Sequence, residues 1–493
     1  AGGHFDFVTA GLVPVVYVVG FAYAVHVVCA FERDYKGGPR AAAAARALLD
    51  VWPALALTAL TTVIGFVALA LSPVASIRTF GIFAACGIAC AWLGAVTLVP
   101  AMLVLVPGPP RMLAGARSAR AAHALAAFAG RHGGRALAAA AVLALLALAA
   151  TTRLEVDTAL LDNFAADAPV RRNFADLARD FAGAVPIEVV VEGEHVDALR
   201  EPAALAALAD LDAWLEREPG IGGAYGLVDY VRLLYRALAP QLAATDALPA
   251  ARPYRHALLL AEADVLGRFV TADFRTTVIH LRTAALSTAA VDALAGRIEA
   301  RLAALPRGLH GHVTGTTVLS ARGVDAIGRG QLWSLGVALV ALGTLLALVF
   351  RSPLVGAVVL LPSALPIVCF FGLLGLLPVT LNLSTSLVAC AVFGIAIDDS
   401  VHLLARYAAA CRQHAAGEAA LAAALGTVLR PVTLTTAALV AGFTVFAWAE
   451  LRGQAEFGLL AAATLLIAWL IDLAVTPALL TRLYPRIAHD VTS

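Results

Sequence analysis

The sequence predicts a polytopic α-helical membrane protein, with nine transmembrane helices in a parallel pseudo-two-fold repeat and one α+β domain outside the membrane. Three observations carry that expectation: an apolar composition, nine runs of membrane-spanning length, and a block of residues that recurs at a constant offset. Of 493 residues, 61% are hydrophobic and 14% charged, against roughly 45–50% and about 25% in soluble domains. A water-soluble globule is excluded. Thirty-five basic and 34 acidic side chains leave a net charge of +1, which gives no electrostatic footprint for nucleic acid. Lys36 is the only lysine beside many Arg and Ala residues, a usage that reads as a GC-rich bacterial genome. The six cysteines, Cys29, Cys86, Cys90, Cys369, Cys390 and Cys411, lie in or beside apolar runs. They imply no disulfide framework, and Cys86 with Cys90 at i, i+4 reads as packing rather than as a metal pair.

A span needs roughly 20 mostly apolar residues. The candidates are Phe7 to Phe31, Val51 to Leu71, Phe80 to Leu105, Arg135 to Ala150, Leu332 to Phe350, Leu354 to Leu377, Thr385 to Ala408, Pro431 to Ala449 and Gly458 to Leu480. The fourth is short. Basic residues gather in alternate connections: Arg33, Lys36, Arg40 and Arg46; Arg111, Arg117, Arg120 and Arg131; Arg351; Arg406, Arg412 and Arg430; Arg482 and Arg486. By the positive-inside rule these connections and the C-terminus face the cytoplasm of a bacterial inner membrane.

Residues 151–330 then form an extracytoplasmic domain. Pro186 to Glu192, Thr276 to Thr283 and Leu309 to Thr314 read as strands, and Ala203 to Arg217 and Ser287 to Leu305 as amphipathic helices. Strand, helix, strand, helix, strand suits a split βαβ, ferredoxin-like module. His310 and His312 lack a third ligand nearby in sequence, so no metal site is expected there. The remaining boundaries are 1–106 for the first three spans, 107–134 for a Pro/Gly-bounded cytoplasmic linker, 135–150 for the span leading the second half, 331–484 for its other five spans and 485–493 for a tail.

An offset of 377 places Gly65-Phe66 on Gly442-Phe443, Phe80-Gly81 on Phe457-Gly458, Ala91-Trp92-Leu93 on Ala468-Trp469-Leu470 and Pro100-Ala101 on Pro477-Ala478. An offset of 376 places Thr9 on Thr385, His26 on His402 and Phe5-Asp6-Phe7 on Leu381-Asn382-Leu383. The first three spans duplicate the last three in the same orientation, so the pseudo-two-fold axis runs along the membrane normal. The chain starts at Ala1 without an initiator Met. The repeat predicts that about 240 residues precede it, in a natural protein of about 730 with twelve spans.

The seventh span carries Gly394-Ile395-Ala396-Ile397-Asp398-Asp399-Ser400-Val401-His402. Intramembrane charges cost several kcal/mol each and mark function by default. Asp398, Asp399 and His402, at i+4 and i+3 spacing, can share one helix face, and two carboxyls with an imidazole make a proton relay. Thr435 and Thr436 come in from the eighth span to a similar depth, to bond a carboxyl or their own backbone. Asp472 in the ninth span reads as an interhelical hydrogen-bond partner more than as a transport residue. In the first half Ala22 and Tyr23 stand where the second half has Asp398 and Asp399, leaving Tyr23 and His26 as its polar groups.

The GIAIDDSVH run, the duplicated GF … FG … PALL spans and the large insert after the span leading a half together resemble the resistance-nodulation-division (RND) superfamily. Within it they resemble the MMPL-type, or predicted exporter, branch, related to hopanoid transporters and sterol-sensing domains. The resemblance covers the whole chain. It implies a secondary active transporter rather than an enzyme, in which Asp398 and Asp399 couple proton entry to movement of a soluble porter domain. The proton gradient is then the energy source and no cofactor or metal is needed. The chain departs from multidrug members in lacking an intramembrane Lys, and its 180-residue domain is short for a porter plus a docking domain. With Met102 and Met112 as its only methionines, it lacks the soft ligands of copper export. A lipid-like or other hydrophobic substrate is favoured. Expected partners are the bilayer, that substrate, and a second copy or a periplasmic accessory protein. A non-transporting sterol-sensing-like receptor and an accessory motor of protein secretion are the alternatives, and the Asp pair disfavours the receptor.

Overall fold

The computed structural model describes residues 9–105, 116–156, 161, 164, 167–238, 263–284, 287–413 and 417–492. Two compact units result, one of residues 1–156 with 326–493 and one of residues 157–325. The chain is mostly helical, and nine helices among the described residues are long and apolar enough to cross a membrane.

The first four spans lie in α1 (Leu12–Asp34), α2 (Arg40–Leu69), α3 (Ala75–Leu105) and α4 (Ala116–Thr151). The Phe5-Asp6-Phe7 match and the start of the first expected span fall outside the described residues. Helices run past the apolar stretches because Ala-rich polar sequence is also strongly helical. So α2 begins at Arg40 rather than Val51. The largest difference is in α4: residues 116–134, expected in a linker, are its first half. Gly133 and Gly134, which look like loop punctuation, are points of close approach. A Cβ on Gly133 would stand 3.2 Å from Ala478 Cβ, and one on Gly134 would stand 2.5 Å from the Arg482 guanidinium.

The second unit contains α5 (Pro169–Asp180), β1 (Val185–Gly193), α6 (Pro202–Leu215), β2 (Ile221–Tyr225), α7 (Leu227–Leu238), β3 (Thr276–Thr283), α8 (Thr288–Leu302) and β4 (Leu309–Thr314). The sheet order is β2-β3-β1-β4, and every neighbouring pair is antiparallel. Ile187, Val189 and Val191 alternate inward along β1. Val189 stands opposite Ile279 on β3 and Val313 on β4. These residues pack with Leu208 and Leu211 of α6 and with Leu294 and Ile298 of α8. Ser287 caps α8 by accepting from the Ala290 amide. Strand β2 has no counterpart in the sequence expectation. Its IGGAY has no apolar alternation, and a Cβ on Gly222 would come within 1.7 Å of the Ala182 carbonyl oxygen, so that position must be bare. His310 and His312 are exposed on β4, where His310 lies 3.8 Å from Glu194.

After β4 come α9 (Thr316–Val349), α10 (Pro353–Leu376), α11 (Leu383–Cys411), α12 (Glu418–Thr444) and α13 (Arg452–Thr492). Pro431, expected to open a span, lies inside α12, as membrane helices tolerate, and the expected tail from 485 continues α13 to Thr492. An Asn382 capping box, with Thr385 answering the Asn382 amide, starts α11. Of the most apolar stretch of α11, 94% is buried, against 17% for α3 and α4, so α11 is the centre of its unit. Two sets of contacts match. Phe66 packs on Phe80 at 6.2 Å and Phe443 on Phe457 at 5.9 Å. Gly81 admits no side chain because the Phe66 carbonyl lies 2.6 Å from its would-be Cβ, and at Gly458 the Phe443 carbonyl does the same at 2.5 Å. Gly65 of α2 crosses Gly394 of α11 at 3.1 Å, and Gly442 of α12 abuts Val18 of α1 at 2.8 Å.

Candidate functional site

Asp398 lies about 20 Å from either end of α11 at 1.5 Å per residue, in the middle of the apolar unit. It is buried, as are His402 and Ser400, and Asp399 is half-buried. One turn on from Asp398, His402 Nε2 lies 3.4 Å from Asp398 Oδ1, a distance too long for a strong hydrogen bond. Neither atom has a hydrogen-bond partner among the described residues. Across from His402, His26 of α1 stacks on its ring with centroids 4.0 Å apart and planes 6° from parallel. His26 Nε2 is likewise buried and without a hydrogen-bond partner among the described residues. Tyr23, fully buried, faces Asp398 and Thr62.

The neighbouring helices supply hydroxyls. Thr58 of α2 faces Asp398, and Thr436 of α12 faces Asp399. Thr435 donates to its own helix, at Val432 O, 2.9 Å away, and Thr58 also reaches its own helix, at Leu55 O, 3.1 Å away. Asp472 of α13 accepts from Ser400 of α11 and, at 2.8 Å, from Thr476. It is an interhelical hydrogen-bond partner, and its charge also bears on Asp398 and Asp399. Thr62 donates to Gly394 O at 2.9 Å, which ties α2 to α11 one turn before the carboxyls. Towards the arginine-bearing end, Arg406 grips Asp50 of α2 with both nitrogens, at 2.7 and 2.6 Å. Arg33 pairs with the same carboxylate, and Arg430 pairs with Glu32 at 2.9 Å.

The donor atoms of His26, Asp398 and His402 lie within 4.8 Å of one another. Three such ligands can serve a transition metal, but parallel stacked rings aim their nitrogen lone pairs side by side rather than at one point. The geometry suits a proton better than an ion.

With that site in view, comparison with known proteins is decisive. The model of the MMPL family matches residues 4–136 and 163–487. The chain belongs to the MMPL family. This MMPL-family protein is a multi-pass membrane protein of the RND transporter type, as the resemblance implied. It is 24% identical over 342 residues to membrane protein MJ1562 of Methanocaldococcus jannaschii, covering 67% of this chain and 86% of that one. To membrane protein ActII-3 of Streptomyces coelicolor it is 28% identical over 180 residues, 36% of this chain and 25% of that protein.

Sequence reasoning missed Thr58, Ser400 and Asp50 as members of the site. Threonine in an apolar helix carries no signature of its own, yet the 377 offset places Thr58 on Thr435 and so points to it. The MMPL-family chain also holds a second cluster, in the unit of residues 157–325. Asp212 of α6, with a side chain 1% exposed, lies 3.6 Å from Arg232 of α7, which is also 3.6 Å from Asp229. Burial raises the Asp212 carboxyl to about 7, and the charges of Asp229 and Glu216 add to the rise, with Arg232 opposing it. Asp212, Glu216 and Asp229 could hold a cation, but the Arg232 guanidinium beside them already supplies positive charge.

Proposed function

We propose that this protein is a proton-motive-force-driven exporter that moves a lipid-like or other hydrophobic compound across or out of a bacterial inner membrane. Asp398 and Asp399 carry the proton, and His402, His26, Tyr23, Thr436 and Asp472 tune it. The observation that carries this reading is the convergence of three carboxyls and two imidazoles in the centre of a membrane unit. Carboxyls kept there at several kcal/mol each are a poor choice for packing alone. Membership of the MMPL family favours transport over enzymatic chemistry.

The same reading holds the two halves to be a parallel duplication, supported by the matched Phe66/Phe80 and Phe443/Phe457 contacts and by the histidine pair related by the 376 offset. It takes residues 157–325 as a ferredoxin-like porter domain, supported by the β2-β3-β1-β4 antiparallel order with a helix between β1 and β2 and between β3 and β4. The excess of arginine in alternate connections supports placing that domain outside the cytoplasm and the C-terminus inside.

The test is transport in membrane vesicles under an imposed pH gradient, with lipid extracts compared between cells with and without the gene to find the cargo. Asp398→Asn and Asp399→Asn keep shape and remove the titrating group, so each is expected to abolish gradient-driven transport at normal protein level. Undiminished transport by the double variant refutes the relay.

A further inference from the structure

A cavity of about 330 Å³ enters the membrane unit between α1, α11 and α12 from the arginine-bearing end, with Ser118 and Ala119 of α4 at its edge. Its lining runs from exposed to buried. Arg33, 37% exposed, stands at the rim with Arg406 and Arg430, Cys29 lies further in, and His26 and His402, each 4% exposed, close the inner end. The rim is internally neutralised: Arg33 pairs with Asp34 and shares Asp50 with Arg406, and Arg430 pairs with Glu32. Such a mouth does not hold a bound anion, but its polar walls suit water.

His402 both lines this cavity and lies 3.4 Å from Asp398 Oδ1. His26 lines it too, with its donor atom within 4.8 Å of the same carboxyl. The stacked rings therefore belong to the cavity wall on one side and to the surroundings of Asp398 on the other. We propose that the His26–His402 stack is the gate between the arginine-rimmed cavity and Asp398, the passage by which water and protons reach the carboxyl from that end. This deepens the relay reading and rests on it for the purpose of the passage, though not for its geometry.

The two rings come from different helices and meet face to face. Two imidazolium rings at 4.0 Å would repel, so the closed stack holds at most one positive charge. Arg406 of α11 bears on both rings, Asp398 lies beside them, and Cys29, Glu32 and Arg33 of α1 and Arg430 of α12 line the same cavity. A proton entering from the rim therefore meets the imidazoles before it meets the carboxyl, and parting of the rings opens the way.

Native Cys29 makes this testable without a transport assay. In the full chain with the other five cysteines replaced by Ala, a membrane-impermeant maleimide is applied to either face of oriented vesicles. Cys29 is expected to react only from the face bearing Arg33, Arg406 and Arg430. A second probe, Ala22→Cys, lies one turn beyond His26 and is buried at 4%. It is expected to resist labelling in the parent, to react at least tenfold faster when His26→Ala or His402→Ala removes one ring, and to stay protected when both are replaced by Phe, which keeps a stack. Cys29 labelling in every variant reports that the cavity is intact. The proposal is overturned if Cys29 does not react from that face, if Ala22→Cys reacts equally fast with both histidines present, or if it stays inert in both Ala variants while Cys29 reacts. Failure of the relay reading gives a different result: the labelling pattern persists while Asp398→Asn, Asp399→Asn still transports.

Discussion

Among single residues, Asp212 makes the sharpest demand, since it is a carboxyl buried among other carboxyls outside the membrane helices. Its folded-state pKa is raised to about 7 from an unfolded value near 3.9. The folded unit therefore holds a proton that the unfolded chain has released. Stability is fully present below about pH 4 and declines as the pH rises towards 7, above which the whole loss, of about 2–4 kcal/mol, is felt. Asp212→Asn is expected to remove this dependence and to slow hydrogen exchange in α6 and β1 at pH 8 while changing little at pH 4. Equal exchange in parent and variant at pH 8 contradicts the burial argument. The intramembrane carboxyls show the other face of the same chemistry. Asp398 and Asp399 were legible in the sequence because a charge interrupting an apolar helix is rare enough to be noticed. Thr58, which faces Asp398, and Ser400, which donates to Asp472, were not legible, because a hydroxyl can satisfy itself on its own helix and leaves no pattern. Thr435 does so, at Val432 O.

At the scale of the element, apolar runs located all nine spans but not their ends. Hydropathy measures what the bilayer demands, whereas helix length also depends on Ala content and on packing beyond the membrane, as α4 and the start of α2 illustrate. Glycine misled for a related reason. In Gly133-Gly134 it serves close helix contact, and in β2 it makes room for the Ala182 carbonyl, so neither site is a loop signal. Close approach also decides what glycine replacement costs. A Cβ on Gly375 of α10 would fall 2.0 Å from the Ala150 carbonyl oxygen of α4, with no side chain to give way. Gly375→Ala is expected to destabilise the membrane unit by about 1–3 kcal/mol, seen as a lower Tm in detergent. Gly296 of α8 has nothing within 4 Å of its would-be Cβ, and Gly296→Ala should stabilise its unit by about 0.5–1 kcal/mol through helix propensity. A loss of stability there would show that the open space around Gly296 is occupied.

On the scale of the whole molecule, the Phe66/Phe80 and Phe443/Phe457 contacts match while the charge around the site is one-sided. The carboxyls Asp398, Asp399 and Asp472 all stand in the second half, whereas the first half meets them with Tyr23, His26, Thr58 and Thr62. Near the site the backbones of α2 and α11 meet at Gly65 and Gly394, 3.1 Å from would-be Cβ to Cα, one turn before Asp398. The Thr62 hydroxyl donates to Gly394 O at this crossing, so two backbones in direct contact are also pinned to each other by a hydrogen bond. The crossing has the properties of a pin joint, in which two members touch closely and are tied at one place. A proton-dependent change one turn away would then reach the rest of the chain as rotation about this point. Gly394→Ala, whose new methyl meets its nearest neighbour at an ordinary 3.4 Å, is expected to keep both fold and transport. Gly65→Val, which wedges a branched side chain between the backbones, is expected to fold yet transport at least tenfold more slowly in vesicles, and parent-rate transport by that variant would show that the crossing never turns. A pin joint beside the charge makes this crossing the place where, on the proton-relay reading, the uptake of a proton would first be felt by α2.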